Sequence, residues 1–402
     1  MPAFGFTEEQ EMIRHQVRRF AQRELAPTAR ERAKPDADPQ LTQEVMKKVF
    51  EQGYNRINYP ERCGGWTLDY VSTGIIIEEL CKVDMIGVLP FMSTFAGEDL
   101  KHLPEEVQDE VAPQWMNLTG WLAHGYTEAD SGNDFTTIKT KAVRDGDYYI
   151  INGEKQPASQ AMYASHTIIT CKTDPSAGHK GMSMFLIPRD TPGLTLSPIP
   201  FIMGNWDIPK GNPMHGGGTA VVSLDDVRVP VKYRLGEEGD GYQMLQTAYN
   251  WARSCIITMP ALANAQTSLK ETIEWAQQRV HFGRPIIQFE GVSFKIAEHY
   301  TNIEAARLLL YQALWLRDQG LPNEKEVSMA KMFGIMAAER AIHDCLVILG
   351  YAAYSAEHPM QDRYRGVIGV EMADGADQIQ KLIILRELIG SEALPTGMTD
   401  KF

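Results

Sequence analysis

The sequence predicts an α+β protein, mainly α, laid out as a helical domain, a β domain and a second helical domain. Three observations carry this. Apolar residues recur at helical spacing up to about residue 120, short β-type runs punctuated by Gly, Pro and Asp fill the middle, and long amphipathic stretches return from Gly241. The predicted boundaries are 1–121 for an N-terminal helical domain, 122–235 for a central antiparallel β domain, and 236–402 for a C-terminal helical bundle. At 402 residues the chain is long for one core, and a length prior of about 150 residues per domain gives two or three.

The first helix starts at Thr7-Glu8-Glu9-Gln10, a capping box in which the Thr hydroxyl bonds the third helical N–H and the Gln side chain reaches back. Ile13, Val17 and Phe20 then share one face, and Pro27 is expected to stop the helix. Helical patterning resumes over 41–52 and 70–82, with the turn-rich Tyr59-Pro60-Glu61-Arg62-Cys63-Gly64-Gly65 between them. After Trp121 the period changes. Residues 139–143 and 148–152 flank Arg144-Asp145-Gly146-Asp147, and Asp-Gly between β-type runs is a strong hairpin signal. Further strands are expected at 168–172, 182–187 and 219–223, down to Val227-Arg228-Val229-Pro230, closing a small barrel or sandwich. The amphipathic stretches 242–279, 290–319, 325–349 and 369–389 are long and closely joined, which suggests a bundle.

Composition removes several function classes. A hydrophobic fraction of 44% with 23% charged residues excludes intrinsic disorder and a collagen-like fibre. The net charge of −13 argues against a nucleic-acid partner, because duplex affinity rests on Lys and Arg neutralising phosphates. A local basic patch for one phosphorylated ligand stays compatible with it. The run Met332 to Ala338 is far shorter than the ~20 apolar residues of a membrane span. The start Met1-Pro2-Ala3-Phe4-Gly5-Phe6 lacks a basic n-region and an apolar h-region, so a cytoplasmic location is expected. Cys63, Cys81, Cys171, Cys255 and Cys345 are scattered without CxxC spacing, which favours buried thiols in a reducing compartment over disulfides or a zinc site.

Five segments resemble the acyl-CoA dehydrogenases. Tyr126-Thr127-Glu128-Ala129-Asp130-Ser131-Gly132-Asn133-Asp134 resembles that family's Thr-Glu-Pro-x-x-Gly-Ser-Asp, and Ile151-Asn152-Gly153-Glu154-Lys155 its Ile-Asn-Gly-x-Lys strand. Arg279-Val280-His281-Phe282-Gly283-Arg284-Pro285 resembles its Arg-x-x-Phe-Gly-x-x. Val347-Ile348-Leu349-Gly350, with His358-Pro359 and Arg363-Tyr364-Arg365 after it, is similar to the Gln-x-Leu-Gly-Gly to Arg-Asp stretch. Gly375-Ala376-Asp377-Gln378-Ile379-Gln380 resembles the terminal Gly-Thr-x-x-Ile-Gln. Each motif alone is weak. Their order and spacing across nearly the whole chain make the resemblance specific.

The resemblance implies a four-helix C-terminal bundle and a homotetramer of FAD-binding subunits, with the flavin between β domain and bundle. It also implies an acyl-CoA substrate and an electron-transfer flavoprotein as acceptor. The family reaction removes an α-proton and a β-hydride from an acyl thioester. It needs a base over the α-carbon, donors on the thioester carbonyl, and flavin N5 near the β-carbon.

Carried over residue by residue, Tyr126 and Thr127 would bond the flavin's pyrimidine edge and N5 through backbone and hydroxyl, and Ser159 falls where the family places a Ser or Thr that bonds N5. Gly132 and Asn133 would face the pyrophosphate or the CoA arm, which makes Asn133 a substrate candidate as well. Arg279 and Phe282 match residues that bind FAD across a dimer, Gly350 lies in the matching glycine stretch, and Gln378 matches a flavin-contacting Gln. Several positions depart. Pro157 replaces the usual Trp beside the flavin, Glu290 and Val347 stand where Gln is usual, and Tyr351 replaces a Gly. A carboxylate such as Glu290 near a diphosphate would repel it, so the ADP end is the most altered.

Register from His358 puts Asp374 at the position of the family's catalytic Glu, while the second base position used by some members holds Ala252. Asp and Glu differ by only about 0.4 in solution pKa. They differ by one methylene in reach, and misplacement of about 1 Å can cost ~100-fold in rate. Reach therefore decides: Asp374 serves as the base if the acidic carbon comes nearer than in Glu-bearing relatives, and otherwise it caps a helix or is vestigial. Arg253 matches an Arg lining the substrate site, with an intrahelical ion pair as the other reading, and Tyr242, Tyr249 and Trp251 read as core aromatics. FAD-dependent α,β-dehydrogenation of an acyl-CoA leads. The alternatives are a nitroalkane-oxidase-like flavin oxidase, a desulfinase- or carnitine-CoA-type branch member, and a catalytically silent subunit of a hetero-oligomer.

Overall fold

Thr7 opens the first helix as its capping box predicts: its hydroxyl accepts from the Gln10 N–H, and the Gln10 side chain accepts from the Thr7 N–H. The computed structural model describes residues 5–32, 34, 38–117, 119–199, 218–355 and 357–390. Helices come first: α1 (Glu8–Phe20), α2 (Ala26–Arg32), α3 (Pro39–Glu51), α4 (Tyr70–Cys81), α5 (Leu89–Leu100) and α6 (Glu105–Met116). Pro27 does not end the first helical run. A π turn at Ala21–Leu25 leads directly into α2, and the wider turn accommodates the ring and missing N–H of a proline in its wake.

The sheet follows: β1 (Leu122–Gly125), β2 (Lys141–Asp145), β3 (Tyr148–Ala158), β4 (His166–Lys172), β5 (Met182–Pro188), β6 (Leu194–Pro198), β7 (Ala220–Pro230) and β8 (Arg234–Leu235). Its order is β6-β7-β3-β2-β4-β5-β8, with β1 beside β4. The Asp-Gly turn joins β2 to β3, with Asp145 opposite Tyr148. The expected antiparallel pairings are present, and two parallel ones are added: β1 with β4, and β2 with β4 at Lys141–Lys172. β1 arrives from the helical domain and not through a hairpin, so no tight turn forces it antiparallel.

The remaining chain is α7 (Gly241–Trp251), α8 (Met259–Gln278), a small hairpin of β9 (Val280–His281) and β10 (Arg284–Pro285), α9 (Glu290–Asp318), α10 (Glu324–Leu349), α11 (Tyr351–Tyr354), α12 (Pro359–Met372) and α13 (Asp377–Ile389). The stretch expected as one helix over 242–279 is continuous through a π segment at Ala252–Thr258. The stretch expected as one helix over 369–389 is two, because α12 and α13 are separated by residues 373–376. Asp374 and Gly375 in that break have φ of 52° and 90°. Glycine takes this left-handed conformation freely, and Asp takes it more readily than most residues.

One polar knot ties the helical domain to the bundle. The fully buried Glu78 of α4 accepts from Arg307 Nε at 2.6 Å and the Tyr311 hydroxyl at 2.7 Å on α9, and from Gln266 Nε2 at 2.9 Å on α8. The Asp318 carboxylate at the end of α9 in turn accepts the Tyr70 and Val71 N–H groups that open α4. Around these contacts a single apolar core runs from Val17 in α1 to Val367 in α12.

Candidate active site

Where β1 ends, the chain is held from beneath. Glu128 is buried and accepts from Lys155 Nζ at 2.8 Å, the Thr140 hydroxyl at 2.7 Å, and the N–H groups of Lys139 and Thr140. Lys155, wholly buried on β3, also donates to the Tyr126 carbonyl at 3.2 Å, and the Gln156 N–H donates to the Thr127 carbonyl at 2.9 Å. The Thr-Glu motif is thus a scaffold: its carboxylate is consumed internally, and the result is a fixed placement for Tyr126 and Thr127. Beside them, Gly132, Asn133, Pro157 and Ser159 are exposed and Thr127 is half-buried. A Cβ on Gly132 would meet nothing nearer than Thr127 Cγ2 at 3.9 Å, so this rim is open.

The opposite wall is the break between α12 and α13. A helix end leaves carbonyls without partners, and here buried side chains from two other helices and from α13 itself take them. Arg253 Nε donates to the Asp374 carbonyl at 2.8 Å, and Lys331 Nζ to the Gly375 carbonyl at 2.7 Å and the Glu371 carbonyl at 3.4 Å. Gln380 Nε2 adds a bond to the Gly375 carbonyl at 2.8 Å. The turn carrying Asp374 is therefore clamped through its main chain.

Between the two walls lies a cluster of polar side chains. The Tyr126 ring lies 5.8 Å edge-on from Tyr249 and 5.2 Å from the His124 imidazole. The Arg253 guanidinium sits 5.3 Å over the Tyr249 ring, and His124 Nε2 is 2.8 Å from Asp99 Oδ2. Burial pushes the Asp374 carboxyl above the ordinary carboxylate range, against the opposing charges of Arg253, Lys331 and His124. Burial likewise brings Lys331 down to about 8, with the Asp374 charge working the other way. A carboxylate with raised proton affinity, on a fixed turn beside aromatic walls, is suited to accepting a proton from carbon near neutral pH.

Tyr126, Arg253 and Asp374 are thus brought together, with Thr127, Gly132, Asn133 and Ser159 on the adjoining rim. The other sequence-predicted residues lie on the bundle's exposed surface. Arg279 donates to His281 Nε2 at 3.1 Å and lies 6.0 Å over Trp275. Phe282 is 97% exposed. Gly350 is exposed between α10 and α11, and Gln378 is exposed in the first turn of α13. Helix capping does not explain Asp374, since α13 begins after Ala376 with no side-chain cap. The ion-pair alternative for Arg253 is replaced by its long-range bond to the Asp374 carbonyl. Tyr249, expected in the core, also walls the cluster.

Sequence reasoning missed Lys331, Gln380, His124 and Asp99. Lys331 left a signal: it stands on the apolar face of α10 with Val327, Gly334 and Ala338, where a cation needs a reason. With Asp374 as the proposed proton acceptor, Lys331→Met is expected to slow the reaction by about 100-fold, the scale of an ångström of misplacement. It should also move the acid limb of the pH–rate profile upward, because a cation that opposes burial at Asp374 is lost. Stopped-flow rates across pH, with melting measured alongside, would check both; an unmoved acid limb would contradict the assignment.

Comparison with known proteins gives the family. The chain matches the family descriptions "Acyl-CoA dehydrogenase, N-terminal domain" over residues 7–117, "middle domain" over 123–214 and "C-terminal domain" over 239–389. It is 33% identical over 387 residues to an acyl-CoA dehydrogenase of Bacillus subtilis strain 168, covering 96% of this chain and 99% of that one. The glutaryl-coenzyme A dehydrogenase glutaryl-CoA complex superposes with a TM-score of 0.85 at 28% identity, over 96% of this chain and 97% of the other. The structure of PigA with FAD and proline gives 0.87 at 27% identity, over 96% and 99%. Among the described residues no helix is long and apolar enough to cross a membrane. The chain belongs to the acyl-CoA dehydrogenase family of FAD-dependent oxidoreductases.

Proposed function

We propose that the protein oxidises an acyl-CoA thioester between Cα and Cβ, with Asp374 as the base. The observation that carries this reading is the clamped turn: Arg253, Lys331 and Gln380 hold the carbonyls around Asp374, whose carboxylate lies near enough to Tyr126, just past β1, for its charge to act there. Asp374 takes the α-proton, the freed electron pair forms the Cα=Cβ bond, and the β-hydrogen leaves with its pair. FAD, when bound, supplies the acceptor for that hydride. Burial keeps the Asp374 carboxyl a better base than in water, and the Arg253 and Lys331 charges keep it ionised enough to act.

The residues present suit FAD. The open rim at Gly132, with the Thr127 and Ser159 hydroxyls beside it, leaves space for a flat ring and offers donors to its edge. Arg279, Phe282, Gly350 and Gln378 would hold the diphosphate and adenine end, and Asn133 the diphosphate or the CoA arm. Those bundle residues lie on an exposed surface that also shows Val280, Tyr351 and Tyr354 at 56%, 86% and 72% exposure. Apolar groups so bare favour burial against another copy, which supports an oligomer; a cytoplasmic homotetramer with shared cofactor sites is the proposed form. An electron-transfer flavoprotein is the proposed acceptor for the reduced flavin.

Heat release of the chromophore is expected to yield FAD, about one per subunit of an oligomer by sedimentation. Anaerobic mixing with acyl-CoAs should bleach it. FMN, or a flavin that no thioester bleaches, would contradict the reading.

A further inference from the structure

The outer end of α12 carries a cap that depends on a proton. His358 is the N-cap residue of that helix, and its Nδ1 accepts the Met360 N–H at 3.1 Å. Asn, Ser or Thr would accept in this place at any pH. Imidazole accepts only while neutral, because its cation carries an N–H on both nitrogens and has no lone pair to offer. The cap also bears on packing. Met360, whose N–H it takes, is fully buried and pins the first turn of α12 to the core.

The surroundings give an imidazolium little compensation. Glu271 of α8 is the carboxylate that acts on His358, and it is already gripped by both terminal nitrogens of Arg363, at 2.6 and 2.9 Å. Arg363 and, from α2, Arg30 add positive charge, and a helix N-terminus is itself positive. The other charges nearby are paired: Asp362 lies 3.7 Å from Arg365, and Lys270 lies 3.9 Å from Glu274 on α8. Burial pushes the His358 imidazole below the ordinary His range, with Glu271 pulling the other way.

We propose that His358 is an acid-released latch, which caps α12 and holds Met360 in the core while neutral and lets the helix's first turn loosen when protonated. His358, Pro359 and Arg363 border a groove of about 1120 Å³ that α2 and α8 share, which gives that turn room to move. The release stays local, because the last turn of α12 is held from Lys331 through the Glu371 carbonyl. The sign follows from the lowered pKa. The cap's contribution is complete above the unfolded His value of about 6.5 and is lost as pH falls through the folded value.

Hydrogen exchange of the flavin-loaded protein at about pH 7.5 and about pH 4.5, corrected for intrinsic rates, reads the latch at the amides of residues 360–363. Their protection is expected to fall about 5-fold in acid, the scale of a lost N-cap. His358→Asn should stay protected at both pH values, and His358→Ala should be poorly protected at both. Equal wild-type protection at the two pH values, the same acid loss in the Asn variant, or an Ala variant as protected as wild type at the higher pH would overturn the inference.

Discussion

Asp374→Asn is expected to keep the fold and the bound FAD while flavin reduction by acyl-CoA falls roughly 10³- to 10⁴-fold, the scale of a lost general base. The amide is nearly isosteric, and the turn is held through main-chain carbonyls that the substitution does not touch. The loss would therefore report proton transfer and not collapse of the site. Asp374→Glu probes the reach of the base. The backbone at Asp374 is fixed at a φ of 52° with its carbonyl bonded to Arg253, so an added methylene pushes the carboxylate outward with little slack to retract it. A rate fall of about 10- to 100-fold is expected for Glu, whereas a faster enzyme would show that the shorter arm is not matched to its substrate. The pH dependence has a definite sign. Since burial raises the Asp374 pKa, activity should be lost as pH falls through a value above the ordinary carboxylate range.

Glu78→Ala is expected to destabilise the protein by about 3–5 kcal/mol, the cost of leaving a buried partner charge uncompensated. Arg307 would lose its carboxylate while remaining packed between α4 and α9, and the Tyr311 hydroxyl and Gln266 amide would each lose an acceptor. Burial by itself would raise the Glu78 pKa, but the Lys82 charge and the Arg307 bond outweigh it and bring it down to about 2. A carboxylate depressed on folding stabilises above its unfolded pKa of about 4.3, and that contribution is lost as pH falls toward the folded value. Urea unfolding should thus separate wild type and Glu78→Ala widely at neutral pH and less at pH near 2. Equal midpoints at neutral pH would show that the knot does not hold the helical domain to the bundle.

What could be read from the sequence is what local chemistry determines. The capping box at Thr7 needs only four residues, and the hairpin at Asp145-Gly146 only its flanking strands, so both are found where they were expected. Asp374 and Arg253 were singled out through register with family motifs, and the structure brings the two together. The break in the helix over 369–389 was not, because what stabilises it is remote: Lys331 is about 40 residues away in sequence and Arg253 about 120. Pro27 misled for a similar reason, as the π turn at Ala21–Leu25 changes the helix that the proline enters. The His124–Asp99 pair joins a strand to a helix across 25 positions, and neither residue sits in a pattern that calls for the other. Long-range polar pairs of this kind emerge only from tertiary packing.

The central claim is that the Asp374 carboxylate removes the α-proton, and proton exchange tests it most directly because it does not depend on hydride transfer. With a reactive acyl-CoA in deuterated buffer under anaerobic conditions, the enzyme is expected to wash deuterium into the α-position, as followed by mass spectrometry, and Asp374→Asn to abolish that exchange while still binding FAD and thioester. Undiminished α-exchange in the Asn variant would contradict the account and move the base to another group.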